Sequence, residues 1–150
     1  RLADITADTL LATIAQIDAI TPIPQAHDDA VYADKITPDE AEMDFALPTT
    51  IVDAHFRAYR PFPGSWLALG RSEDGKIIRL KIKAINLDVK KHGAAGHVVG
   101  IGGNGGPLVA TADGAVELTM VQPQGKPAMS GRDFLNGNRM PDQILRVKDL

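Results

Sequence analysis

Cysteine is absent from all 150 residues. That excludes disulfides, thiolate metal ligands and a cysteine nucleophile, and it fits a reducing compartment, so a cytoplasmic location is expected. Aromatic residues are scarce at 5%, which leaves Val, Ile, Leu and Ala to fill the core. No apolar run approaches the ~20 residues that a membrane-spanning helix needs. Residues 1–20 carry Asp4, Asp8 and Asp18 and lack a cleavage-like end, so they do not read as a secretory leader. What is present is 44% hydrophobic residues, enough to build a real core rather than a disordered chain. The length suits one ordinary domain, or a small domain with a helical appendage. The chain opens on Arg1 inside a helical pattern, and reads as a fragment of something longer.

The net charge of −3 would by itself argue against a polyanion as partner, but its distribution argues otherwise. Residues 1–60 hold 4 Lys/Arg and 11 Asp/Glu, a balance of −7, whereas residues 61–150 hold 12 and 8, a balance of +4. A polyanion is expected to meet the second part.

Periodicity divides the chain in the same place. Residues 6–20 read as an amphipathic helix capped by Thr6, with Leu10, Leu11, Ile14 and Ile17 as its apolar stripe. An extended Thr21-Pro22-Ile23-Pro24-Gln25 and an acidic stretch around His27-Asp28-Asp29 follow. Thr37-Pro38-Asp39-Glu40 carries the capping pattern of a short helix reaching about Phe45. A second helix, from Thr49 or Thr50 to Tyr59, places Ile51, Val52, His55, Phe56 and Tyr59 on one face. Pro61 and Pro63 stop it, and beyond Trp66 the period becomes two. Strands are expected at about 65–69, across an Asp74-Gly75 turn at 78–84, and at 97–101, 108–112 and 115–121. In the second, Ile78, Leu80, Ile82 and Ala84 alternate with Arg79, Lys81 and Lys83, putting aliphatics on the core and three cations on the opposite face. Ser130 caps a short helix ending near Asn136-Gly137, and residues 138–150 form an extended tail. The expected fold is mainly β, an open Greek-key or OB-like barrel of five to six strands preceded by linker helices.

Gly100-Ile101-Gly102-Gly103-Asn104-Gly105 matches the dinucleotide fingerprint in letters only. A strand rather than a helix follows it, so no helix N-terminus is available for a pyrophosphate and a hairpin loop is expected. The histidines have no i, i+4 pairing and no third ligand, so no metal site is expected. None of Ser65, Ser72 and Ser130 sits in a strand–elbow–helix setting with a histidine to activate it. Phe62 and Trp66 read as core residues at the joint of helix and barrel rather than as rings for base stacking. The cations remain: Arg79, Lys81, Lys83, Lys90, Lys91, Lys126 and Arg132 are the candidate nucleic-acid contacts, since clustered Lys/Arg on a small barrel suits a phosphate backbone.

Four blocks carry a resemblance to a known family. They are Thr21-Pro22 to Gln25-Ala26; Tyr32-Ala33-Asp34-Lys35 to Met43-Asp44-Phe45; Arg60-Pro61-Phe62-Pro63-Gly64-Ser65-Trp66; and Gly125-Lys126-Pro127-Ala128-Met129-Ser130-Gly131-Arg132-Asp133-Phe134-Leu135. In order and spacing they resemble the linker and C-terminal domain of the methionyl-tRNA formyltransferases. Phe62 departs from the pattern, which usually has Trp there. The resemblance implies that residues 1–20 are the terminal helix of an N-terminal formyltransferase domain, 21–48 a linker, and 49–150 a tRNA-binding barrel. It implies initiator methionyl-tRNA and the N-terminal catalytic domain as partners, with no membrane and no metal. It also implies 10-formyltetrahydrofolate as co-substrate of the parent enzyme, and no cofactor, catalytic residue or folate pocket in this chain, which should be inactive alone. Two rivals stand beside it. One is the equivalent domain of a sibling formyltransferase acting on a nucleotide sugar, or of a formyltetrahydrofolate hydrolase. The other is a non-catalytic interaction scaffold docking through the Leu10–Ile17 stripe.

Overall fold

In the β region the chain forms six antiparallel strands, seen in a computed structural model that describes residues 2–90 and 93–150. The strands are β1 (Trp66–Arg71), β2 (Ile77–Asp88), β3 (Val98–Ile101), β4 (Pro107–Ala110), β5 (Ala115–Pro123) and β6 (Met129–Ser130). They lie in the order β1-β2-β5-β4-β3, with β6 added to β5. Three hairpin-linked strands, β3 to β5, return to lie against β2, which is a Greek key. The fold is thus a mainly β, open, barrel-like sheet with three helices, as the period-two pattern led us to expect. The chain divides into two compact units, Arg1–Asp34 and Lys35–Leu150.

The first unit contains helix α1 (Leu2–Ala15), none of whose residues is buried. Thr6 does not cap it. The helix starts earlier, and the Thr6 hydroxyl donates back to the Leu2 carbonyl at 2.8 Å, as Thr9 does to Ile5 and Thr13 to Thr9. A threonine inside a helix has that local bond available, so its presence does not mark a start. Among the described residues, no helix is long and apolar enough to cross a membrane.

In the second unit, the expected helix at 37–45 shrinks to a single 3-10 turn at Asp39–Ala41. The Thr37 hydroxyl does reach Glu40, at 3.1 Å. Beyond that turn the chain extends beside the sheet, the Met43 N–H donating to the Trp66 carbonyl at 2.8 Å. The extended path lets Ala41 join Trp66 and Ala68 while Met43 and Phe45 enter the main core, with Glu42 buried between them. Helix α2 (Thr49–Ala58) buries Val52 and Phe56, four residues apart, while Ile51 is exposed one step around the helix. These side chains pack with Leu67, Leu80, Ile82, Val116, Leu118 and Phe134 in one core.

β2 departs from strict alternation. Leu80 and Ile82 are buried as expected, but Ile78 is 40% exposed and Ala84 only half-buried. Ile78 keeps the phase of Leu80 and Ile82 but lies near the start of the strand; the extra β2 residue between Ile82 and Ala84 shifts the phase beyond it, and Ile85 packs against the core. Each extra residue at such a bulge swaps the faces. After β6, the Ser130 hydroxyl accepts the Asp133 N–H at 3.0 Å and caps helix α3 (Gly131–Gly137), as its sequence suggests.

Neither outer strand is left bare. Glu42 bridges to Trp66 at the β1 edge, and Gln143 bridges to His97 beside β3. The two flanking segments meet through Arg146, whose Nε lies 2.9 Å from Glu42 and whose Nη1 donates to Asp44 at 2.9 Å. The Val147 N–H donates to the same Glu42 carboxylate at 2.6 Å. The open sheet is therefore laced across its seam by side chains where strand pairing stops.

Candidate nucleic-acid interface

Arg79 and Lys81 alternate on β2 with the buried Leu80 and Ile82, and this places them on the outer face. They line a groove of about 500 Å³ together with Ile77 and the turn from Gln122 to Gly125. Lys81 sits in register with Trp66 on one side and Gln122 on the other. The Gln122 side-chain amide donates to the Lys126 carbonyl at 3.0 Å, holding that turn and setting Lys126 at the rim of the groove, one residue beyond Gly125. Lys83 is exposed two residues further along, at the bulge.

The three cations of β2 are not equivalent. The Arg79 guanidinium carbon lies 3.9 Å from the centre of the Trp66 ring and its Nη2 pairs with Asp39 at 2.8 Å. Its charge is already partly matched, and an exposed pair of this kind contributes little stability. Among the described residues, Lys81, Lys83 and Lys126 have no carboxylate within ion-pair distance. They are free to meet a phosphate.

The other candidates lie apart. Lys90 follows Asp88, whose carboxylate accepts its backbone N–H at 2.9 Å. Asp88 pairs with Ala115 whereas Lys81 pairs with Gln122, which separates Lys90 from the groove by on the order of 25 Å along the strands. Arg132, in the first turn of α3, lies against Gly105, where a Cβ would fall 2.4 Å from its Nε. Lys91 lies outside the described residues.

The two aromatic candidates separate. Trp66 belongs to a core, at 4% exposure beside Ala41 and Ala68, with its indole N–H donating to the Pro38 carbonyl at 2.8 Å. Phe62 does not, being 76% exposed. It sits between Pro61 and Pro63 in the turn after α2, and Tyr59, Ile77 and Val147 fill the space around Trp66 instead. Phe62, Pro38 and Pro63 line a second groove of about 210 Å³ that also contains Arg79 and Lys81.

The glycine-rich segment closes the β3–β4 hairpin, as expected from the strand that follows it. The Gly102 N–H donates to the Gly106 carbonyl at 2.8 Å. The Gly105 N–H donates to the Gly102 carbonyl at 3.0 Å, and the buried Glu117 carboxylate accepts the Asn104 N–H at 2.8 Å, the Asn104 amide at 2.9 Å and the Gly106 N–H at 3.0 Å. A loop wrapped on a carboxylate repels a pyrophosphate and has most of its amides already engaged. Glu117, like Gln122, carries no motif in the sequence, and Asp39 stands there only within a capping pattern. Its signal is a lone acid in an otherwise apolar strand, Ala115-Val116-Glu117-Leu118.

The β region is thus a small open barrel-like sheet whose basic groove holds one paired cation, Arg79, and one, Lys81, unpaired among the described residues. Residues 35–139 match the family model "Formyl transferase, C-terminal domain", and the chain belongs to that family. It is 35% identical to the methionyl-tRNA formyltransferase of Cereibacter sphaeroides over 142 residues, which cover 95% of this chain and 43% of that protein. It is 36% identical to the enzyme of the same name from Jannaschia sp. strain CCS1, covering 97% and 44%. With that of Halorhodospira halophila the identity is 37%, covering 93% and 44%. The chain thus spans less than half the length of these relatives. Among solved structures it is similar to HypX from Aquifex aeolicus in complex with tetrahydrofolic acid, with a TM-score of 0.59 and 16% identity over 93% of this chain and 26% of that one, a likeness of fold.

Proposed function

We propose that this chain is the C-terminal tRNA-binding region of a methionyl-tRNA formyltransferase. The parent enzyme would move a formyl group from 10-formyltetrahydrofolate to the amino group of initiator methionyl-tRNA, in the cytoplasm, at the start of translation. The observation that carries the reading is the groove in which Lys81, with Lys126 at its rim, is left without an acidic partner, on a chain similar along most of its length to enzymes of that name. Contacts of this type position an RNA through its backbone and read no base. The chemistry is assigned to an N-terminal catalytic domain, the other partner in this reading. Apart from Arg146 Nε, which faces Glu42, the buried polar atoms left without a hydrogen bond among the described residues are His55 Nδ1 and Ser65 Oγ, and neither residue lines either groove. No folate contact is assigned to these residues.

The test is binding of methionyl-tRNA by the 150-residue chain across a salt series. Binding near the non-specific range of ~10⁻⁴ to 10⁻⁶ M is expected. The double variant Lys81→Glu, Lys83→Glu should bind more weakly, with a salt slope smaller by about two. Equal binding by parent and variant would remove the assigned face. Failure of the parent to bind any RNA at low salt, with its fold intact, would favour a sibling formyltransferase that acts on a small molecule.

A further inference from the structure

Three of the four phenylalanines, Phe45, Phe56 and Phe134, are 1–3% exposed, and the fourth, Phe62, is 76% exposed. In a chain with so few aromatics to spend on a core, a ring left in solvent beside cations is informative. Phe62 shares its groove with Arg79 and Lys81, and these two residues also line the larger groove toward the Gln122–Gly125 turn and Lys126. One surface therefore runs from an open aromatic face, over Lys81, to Lys126. The other nearby ring cannot serve in this way, because Trp66 is buried and Arg79 lies over its indole. Arg79 in turn is engaged by Asp39, so the charge beside Phe62 is that of Lys81.

An exposed aromatic face next to unpaired lysines is the pairing that single-stranded nucleic acids require, a platform for a base and a cation for its phosphate. A double helix keeps its bases stacked on each other and can use only the lysines. Resting on the tRNA-binding reading above, we propose that Phe62 stacks against an unpaired nucleotide of the bound RNA, whose phosphate is held by Lys81. The groove then distinguishes single-stranded from paired RNA, beyond holding phosphates in general.

The experiment compares the 150-residue chain with Phe62→Ala and Phe62→Tyr, using two probes. One is a six-nucleotide single-stranded RNA, and the other a blunt-ended, fully paired RNA duplex, both at low salt, with urea midpoints recorded to verify folding. Phe62→Ala should weaken single-strand binding about tenfold, within the range for loss of one stacked base. It should leave duplex binding unchanged, and Phe62→Tyr should restore the single-strand affinity. If Phe62→Ala binds both probes like the parent, or weakens both equally, the stacking role is wrong while salt-dependent binding of the parent still supports the polyanion reading. If the parent binds neither probe, both proposals fall together.

Discussion

His55 shows what a single residue contributes and what it costs. Its Nε2 bonds the Glu40 carbonyl at 3.0 Å, tying α2 to the 3-10 turn, and its ring stands 4.5 Å from that of Tyr59. Because a carbonyl only accepts, Nε2 carries the hydrogen, and Nδ1 is buried without a partner. Burial pushes the pKa of the imidazole below its usual 6.5; the Glu40 bond works in the opposite sense, Arg146 lowers the value further, and Asp44 raises it. A depressed folded value means that the unfolded chain binds the proton more readily. The contribution of His55 is therefore whole above pH 6.5 and is lost as pH falls through the lower, folded value. Urea midpoints at pH 7.5 and 5.5 should show the parent losing more stability than His55→Gln. Equal losses would mean that the ring is not held neutral by its surroundings.

At the scale of elements, helix α2 illustrates how a start signal can be supplied from a distance. Its N-cap is Pro48, which has no capping side chain. The cap comes from Asp113, in the β4–β5 turn, whose carboxylate accepts the Thr49 N–H at 2.7 Å and the Thr49 hydroxyl at 2.8 Å. Those two bonds hold the carboxyl of Asp113 below the ordinary aspartate range. The same turn is legible in sequence as Asp113-Gly114, yet nothing local says that its aspartate serves a helix 64 residues away. Asp113→Ala should lower the urea midpoint without changing the denaturant slope, since a cap is lost but the buried surface is not. In the parent this contribution should be present above pH 3.8 and fade as pH falls through the depressed value. An unchanged midpoint for Asp113→Ala at neutral pH would show that the orphan amide finds water as readily.

For the molecule as a whole, the seam is the feature to challenge. Glu42 is buried at 7% exposure and faces Arg146, with Asp44 alongside. Burial disfavours the charge on Arg146, but Glu42 and Asp44 outweigh that and raise its pKa. Removing one partner of such a pair leaves a buried charge uncompensated, whereas removing both costs much less. We expect Arg146→Met to destabilise the fold by about 1–3 kcal/mol, with the partial exposure of the arginine reducing the cost from that of a fully buried pair. Adding Glu42→Gln should recover part of that loss. Hydrogen exchange should quicken in β1 and β3, the edges this contact protects. A double variant less stable than the single one would show that the pair contributes net stability rather than closure alone.

Local pattern was enough for much of this protein. The alternation around Leu80 and Ile82, the Asp74-Gly75 and Asp113-Gly114 turns, the Ser130 cap and the prolines after α2 each act over four or five residues, a range in which sequence alone sets backbone preference. The mainly β class and the family both follow from such short-range features. Tertiary structure decided what depends on register and on distant partners. A bulge on β2 brought Ile85 in, Ile78 at the strand's start stayed exposed, and Trp66 went under Arg79 while Phe62 was left in solvent. Of the candidate cations, Arg79 and Lys81 share a groove with Lys126 at its rim, while Lys90 and Arg132 stand elsewhere. Arg146 found Asp44 102 residues away. Sequence sets which face of a strand a side chain takes, but the pairing of strands sets its neighbours, and a binding surface is made of neighbours.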